Sequence, residues 1–328
     1  MARAGGDGSP PESPRTSGTD TEGVIRTMHD AITTRRSRLQ AARYDGPLVS
    51  VGMPIWNGVP HIQQALDSIV RQSYPNLEII ISDDCSTDDT YAVCDRYARE
   101  DPRITLIQQP QNLGMWGNFQ YVFDRSQGRY FMWASQDDIW DQDWIRNNLL
   151  AFTSGEIVTF ASFCTIDQQG KRVHAFPEKT FSDNRFVRSL QVMYSHMTGV
   201  LMFGLFDKDL LGQVPGFAQL SRLDLYADNV FLLLVAASGR FRSSRGSVLL
   251  KRVPVDGASG VSRGSITPRK IARVLRDTVR YCGYYLGLDL PFGMRVLILL
   301  NTIPFFFFLL LTQWRGTVYE RRDNAPVS

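Results

Sequence analysis

The sequence predicts an α/β protein: a mostly parallel central sheet flanked by helices, with a C-terminal helical extension suited to a membrane surface. Three observations predict it. Short apolar runs alternate with helical periodicity four times between residues 48 and 140, the pattern of a parallel sheet with crossover helices. Acidic pairs follow two of those runs, Asp83-Asp84 and Asp137-Asp138. Finally, Val296 to Trp314 carries no charge and follows a basic amphipathic stretch.

Each element has its own signal. Leu48 to Met53 is a buried strand, and Pro54 to Gly58 a loop. His61 to Gln72 places Ile62, Ala65, Leu66 and Ile69 on one helical face. Leu77 to Ser82 is the second strand. Ser86 or Thr87 is expected to cap the next helix, with Asp88 and Asp89 in its first turn and Tyr91 to Arg99 as its body. Arg103 to Gln108 is a third strand. Asn112 to Phe123 is a loop then a helix, and Tyr130 to Ala134 a fourth strand. Beyond Trp140 the signal weakens. Strands are expected within Gly155 to Thr165 and Val200 to Phe206, a helix over Leu223 to Ala237, and an edge strand over Val248 to Val253.

Composition narrows the class. A chain of 328 residues, 43% hydrophobic and 21% charged, suits one large or two ordinary globular domains and excludes collagen-like or wholly disordered chains. The four cysteines show no CxxC spacing, which argues against a structural zinc site or a disulfide scaffold and for a reducing compartment. Residues 1–22 are Gly, Ser, Pro, Thr and charge, expected to be a disordered tail rather than a signal peptide. A net charge of +3 is too small for a nucleic-acid protein.

That charge is unevenly spread. Residues 261–328 carry ten basic and four acidic side chains, whereas residues 47–260 carry 19 and 23. Acid in the middle suits a cation site, and base at the end suits an anionic surface. Residues 23–46 hold Arg35, Arg36, Arg38 and Arg43 in a helical pattern, a basic amphipathic helix. Ile266 to Tyr285 repeats that character with Arg269, Lys270, Arg273, Arg276 and Arg280. The apolar run 296–314 can just span a bilayer. Pro304 inside it would kink a helix. A spanning helix, an interfacial hairpin and a buried element all remain open.

In open α/β sheets ligands bind at the carboxyl ends of strands. Asp83-Asp84 and Asp137-Asp138 fall there, and Asp224 and Asp228 lie near the later helix. A single strand-end Asp is commonly a helix cap; adjacent pairs at two strand ends are harder to explain so. Hard carboxylate oxygens favour Mg²⁺ or Mn²⁺.

These residues carry a resemblance. Val51-Gly52-Met53-Pro54-Ile55-Trp56-Asn57 comes first, then Ala65 to Pro75 and Glu78 to Asp88. Asn112-Leu113-Gly114 with Asn118 and Ser135-Gln136-Asp137-Asp138-Ile139-Trp140 complete the set. Together they resemble family 2 glycosyltransferases of the GT-A fold, most similar to a bacterial rhamnosyltransferase-like branch. The resemblance implies a catalytic domain over 47–258, with a nucleotide-binding half (47–139) and an acceptor half (140–258), and leaves 259–328 as the membrane-associating segment.

It also implies roles. Pro54 and Asn57 lie on the loop that cradles the base, and Asp84 matches the carboxylate that hydrogen-bonds it, with Asp83 in support. Ser135-Gln136-Asp137 occupies the Asp-x-Asp position. Asp137 then matches the metal ligand, Asp138 a second or alternative ligand, and Gln136 a nucleotide contact. Ser135 departs from the usual first Asp. Ala227-Asp228-Asn229 best matches the step that supplies the catalytic base, which makes Asp228 the base and Asp224 the fallback. Arg252 stands where a diphosphate clamp is expected. His196, near a region that lines the acceptor site, is more simply structural, and Trp56, Trp116, Trp133 and Trp140 are mostly core aromatics. The QxxRW signature of processive synthases is absent.

The implied activity is inverting transfer of a sugar from a UDP- or dTDP-sugar to a glycan or polyprenyl-lipid-linked hydroxyl, with Mg²⁺ or Mn²⁺, at the cytoplasmic face of the cell membrane. The implied setting is surface polysaccharide or glycoconjugate synthesis. A catalytically inactive membrane-attached relative is the alternative. A sugar nucleotidyltransferase needs a basic, Gly-rich loop after strand one, and residues 54–58 contain no basic residue.

Overall fold

The computed structural model describes residues 46–176, 178–195, 198–220 and 227–253, together with Arg276, Phe292, Arg295 and Val296. The expected tail over 1–22, nearly all of the 23–46 helix, Asp224, His196 and almost all of the C-terminal extension lie outside the described residues. Among the described residues no helix is long and apolar enough to cross a membrane.

The first half follows the expected alternation. Strands β1 (Val49–Ile55), β2 (Leu77–Asp83), β3 (Ile104–Gln108) and β4 (Tyr130–Trp133) alternate with helices α1 (Ile62–Val70), α2 (Thr90–Glu100) and α3 (Met115–Arg125). These strands run parallel in the order β3-β2-β1-β4. β1 is buried on both faces, as parallel strands covered by helices are. Gly52 is needed there because a Cβ would lie 2.7 Å from Phe131 Cζ. Helix α1 buries Ile62, Ala65, Leu66 and Ile69, the face read from the sequence. Helix α2 starts at Thr90 rather than at a Ser86 or Thr87 cap. Those two side chains are turned instead toward the first loop.

The second half makes the sheet mixed. β5 (Ile139–Trp140), β6 (Glu156–Ile166), β7 (Arg172–Phe176), β8 (Leu205–Asp207) and β9 (Arg240–Arg252) extend the order to β4-β8-β6-β9-β5, with β7 on β6. β8 is antiparallel to both β4 and β6, whereas β9 is parallel to β6. β9 is therefore an interior strand between β6 and β5, longer than the edge strand expected over 248–253. Helices α4 (Trp144–Ala151), α5 (Arg185–Met193), α6 (Thr198–Leu201), α7 (Lys208–Leu211), α8 (Phe217–Leu220) and α9 (Ala227–Ser238) complete the fold. The strand expected over 200–206 shrinks to β8, because residues through Leu201 are helical and Gly204 packs against Val158 and the Thr159 carbonyl. Trp133 and Trp140 are core aromatics, and Trp116 stacks on Phe217 with centroids 4.8 Å apart.

Candidate active site

A cavity of about 620 Å³ opens at the carboxyl ends of β1, β2 and β4. Pro54, Trp56, Asp84, Gln136 and Asp137 all line it. Parallel strands of matched register end together, so carboxylates far apart in sequence arrive at one rim.

At each acidic pair one carboxylate faces the cavity and the other the interior. Asp84 Oδ1 accepts the Leu113 N–H at 2.6 Å, and among the described residues nothing donates to Oδ2. Asn112 Nδ2 donates to the Asp84 carbonyl at 2.9 Å, which ties the Asn112-Leu113-Gly114 turn to β2. Asp83 is fully buried, its Oδ2 accepting from Ser86 N at 3.2 Å. Burial, with the Asp83 charge adding to it, pushes the Cys94 thiol up to about 12. Asp83 therefore supports the loop from beneath and does not line the cavity.

Asn57 has a similar supporting place. It sits in the left-handed region at φ 47°, its N–H donates to Ser86 Oγ at 2.9 Å, and its Oδ1 accepts from Thr87 N at 2.8 Å. The first loop is thus pinned to the loop after β2, and the Asn57 side chain is occupied. Gln136 lines the cavity and brackets the Trp56 peptide, accepting from Trp56 N at 2.8 Å and donating to Trp56 O at 3.0 Å. That leaves the Trp56 side chain 54% exposed at the cavity mouth.

Ser135, the departure from the usual motif, donates its hydroxyl to Asp137 Oδ1. The hydroxyl thereby orients that carboxylate. Among the described residues nothing donates to Asp137 Oδ2.

Two expected site residues are corrected. Asp138 is fully buried, its oxygens taken by Lys251 Nζ at 3.2 Å and Arg252 N at 2.8 Å. Burial pushes its carboxyl up to about 6, with Lys251 opposing. It cannot present an oxygen to a metal in the cavity. Arg252, expected as a diphosphate clamp, is only 5% exposed with its guanidinium committed to the chain. Next to it Lys251 sits 4.6 Å from the centroid of Phe203, a cavity-lining ring.

Asp228 opens α9 and is half-buried, its Oδ1 accepting from Asn229 N at 2.8 Å. Burial raises its carboxyl above the ordinary range. It is not among the residues that line the cavity beside Asp84 and Asp137. Asn118, which belongs to the motif set, also lines the cavity, and beside it stands Phe119, to which no motif pointed, one turn along α3 from the Asn-Leu-Gly turn. Its spacing from that turn was the available signal.

The donor set bears on a metal. Among the described residues no three His, Cys, Asp or Glu side chains converge. Magnesium-like cations bind through one or two carboxylates plus substrate phosphates. One free oxygen of Asp137 fits that mode and does not fit a protein-only cage.

A family model described as glycosyl transferase family 2 matches residues 50–213, half of the chain. The chain belongs to this family. It is similar to a putative teichuronic acid biosynthesis glycosyltransferase, TuaG, of Bacillus subtilis. The two are 32% identical over 155 residues, 45% of this chain and 62% of that one. A putative colanic acid biosynthesis glycosyl transferase of Escherichia coli, WcaA, is 36% identical over 36% of this chain and 41% of that one. The chain thus spans less than two thirds of the length of either relative. Among solved structures, S. aureus TarS 1–349 has a TM-score of 0.58 at 15% identity, covering 84% of this chain and 76% of that one. TarS has been solved with UDP and with UDP-GlcNAc. A mannosyltransferase from Pyrobaculum calidifontis, in complex with GDP-Man and Mn²⁺, has a TM-score of 0.51, covering 90% and 86%. These likenesses show that the fold is GT-A-like.

Proposed function

We propose that this family 2 glycosyltransferase moves a sugar, with inversion, from a UDP- or dTDP-sugar to a hydroxyl of a glycan or lipid-linked acceptor in cell-surface polysaccharide synthesis. The observation that carries the reading is the convergence of Asp84 and Asp137 on one cavity, each with an oxygen that no described residue engages. The names of the relatives support the polysaccharide setting, and the TarS complexes support a uridine nucleotide.

The chain's residues divide the work. Asp84 Oδ2 accepts an N–H of the base while Leu113 holds Oδ1 in place. Asp137, oriented by Ser135, would hold Mg²⁺ or Mn²⁺ together with the donor diphosphate. When bound, that ion offsets the charge building on the leaving diphosphate. Asp228, kept poised by burial, takes the proton of the acceptor hydroxyl. The basic C-terminal segment would hold the enzyme at the cytoplasmic membrane face, where lipid-linked acceptors lie.

The test is acceptor elongation by full-length protein supplied with UDP- and dTDP-sugars, Mn²⁺ and polyprenyl-linked acceptors, with the anomeric configuration of the product read by NMR. An inverted product supports the reading. A retained configuration, or no transfer from any donor, contradicts it.

A further inference from the structure

Arg252 is an arginine whose every polar contact lies inside the protein. Its Nε donates to the Asp137 carbonyl at 3.0 Å. Nη1 donates to the carbonyls of Asp167 at 2.7 Å and Gln168 at 3.0 Å, on the turn between β6 and β7. Nη2 donates to Gln64 Oε1 on α1 at 2.7 Å. Its own N–H donates to Asp138 Oδ1 at 2.8 Å. One planar fork, set at the end of β9, thus ties α1 and the β6–β7 turn to the Asp137 backbone, while the backbone N–H of the same residue holds the Asp138 carboxylate. The Asp137 carbonyl it holds belongs to the peptide link between the two acids.

We propose that Arg252 is a positioning residue for the cavity carboxylate. It fixes the backbone of Asp137, and so the direction in which that carboxylate leaves the chain, without touching the donor. The inference rests on the proposed nucleotide-sugar reading of the cavity. Two features favour a strut over a phosphate clamp. The side chain is 5% exposed, and four chain acceptors already occupy its guanidinium. A strut also differs from a clamp in what it tolerates. Lysine serves as a phosphate binder through its point charge, but it cannot reproduce a fork that meets four acceptors in three directions.

The test is a Mn²⁺ titration of UDP binding by full-length protein, comparing the parent with Arg252→Lys. The control is Arg188→Lys. Arg188 is another buried arginine, bonded to the carbonyls of Ala236, Ser182 and Asp183, and it lies outside the cavity lining. Loss of a group that orients a metal ligand typically weakens metal affinity by about tenfold or more. We expect Arg252→Lys to raise the Mn²⁺ midpoint by about that factor and Arg188→Lys to leave it at the parent value. A general loss of stability would move both variants alike, and that result overturns the proposal. So does an unchanged midpoint in folded Arg252→Lys. If Arg252→Lys does not fold, Gln64→Ala decides, because it removes one acceptor from an exposed position. A smaller shift in the same direction supports the strut, and no shift overturns it. A parent that binds no nucleotide overturns the underlying reading and this inference with it; a parent that binds, with the variant unshifted, overturns the inference alone.

Discussion

Asp137 and Asp138 are chain neighbours whose carboxylates go to different environments, one to the cavity and one to the protein interior. Asp137 gives one oxygen to Ser135 and keeps the other free of the described residues. Asp138 spends both of its oxygens on Lys251 and Arg252. The pair lies on the bend between β4 and β5 and is split there into one functional and one structural member.

The buried member gives a prediction on stability. Asp138 holds its proton up to about pH 6, above its ordinary value of 3.8. Between those values the folded protein binds more proton than the unfolded chain, so the contribution of Asp138 to stability falls as pH rises through this window and is level above it. Asp138→Asn should remove that part of the slope. Denaturant melts at pH 4, 5, 6 and 7 check it, and parallel slopes for parent and variant count against it.

The base contact gives a second. In Asp84→Asn the amide oxygen must still accept from Leu113 N, which turns the amide nitrogen toward the cavity. A donor then faces the N–H of the base. A lost hydrogen bond to a charged group is worth about 1.5–3 kcal/mol, so UDP binding should weaken by about tenfold or more. Equal affinity for parent and variant would show that Asp84 does not read the base.

A third concerns the frame that brings the strands to one rim. An alanine methyl at Gly52 would sit 2.7 Å from Phe131 Cζ and 2.8 Å from Val122 Cγ2. Overpacking of this kind costs about 1–3 kcal/mol. Gly52→Ala should lower the unfolding midpoint and leave the buried carboxylates in place; a neutral result would mean that α3 yields freely.

A fourth follows from Asp228. Burial raises its carboxyl, and a general base works only when ionised. Turnover should therefore fall on the acid side with an inflection above the ordinary carboxylate value near 4. Asp228→Asn should abolish that limb and cut the rate by about 10²–10⁴ while nucleotide binding persists. A variant with parental turnover removes Asp228 from the base role.

Much of this was legible in the residues. β1, β2 and β4 are apolar runs because they are covered on both faces, so they stand out without an alignment. Asp83-Asp84 marks the end of β2, and Asp137-Asp138 stands between β4 and β5. Only the end of β9 stood out, as the strand over 248–253; its first part hid because the buried Phe241, Ser244 and Ser247 are interleaved with Arg and Ser. Helix α4 hid because it follows the motif with no breaker between them. The roles of Asp138 and Arg252 were misread for a different reason. Sequence shows that charge lies beside the site, but which way each side chain turns depends on β9 arriving from more than a hundred residues away.

The most direct measurement is calorimetry of the full-length protein with UDP, dTDP, GDP, CDP and ADP, each with and without Mn²⁺, run beside Asp137→Ala. The account predicts Mn²⁺-dependent binding of UDP or dTDP that the variant loses. Folded parent protein that binds none of the five, or binds UDP equally well after Asp137→Ala, would contradict it.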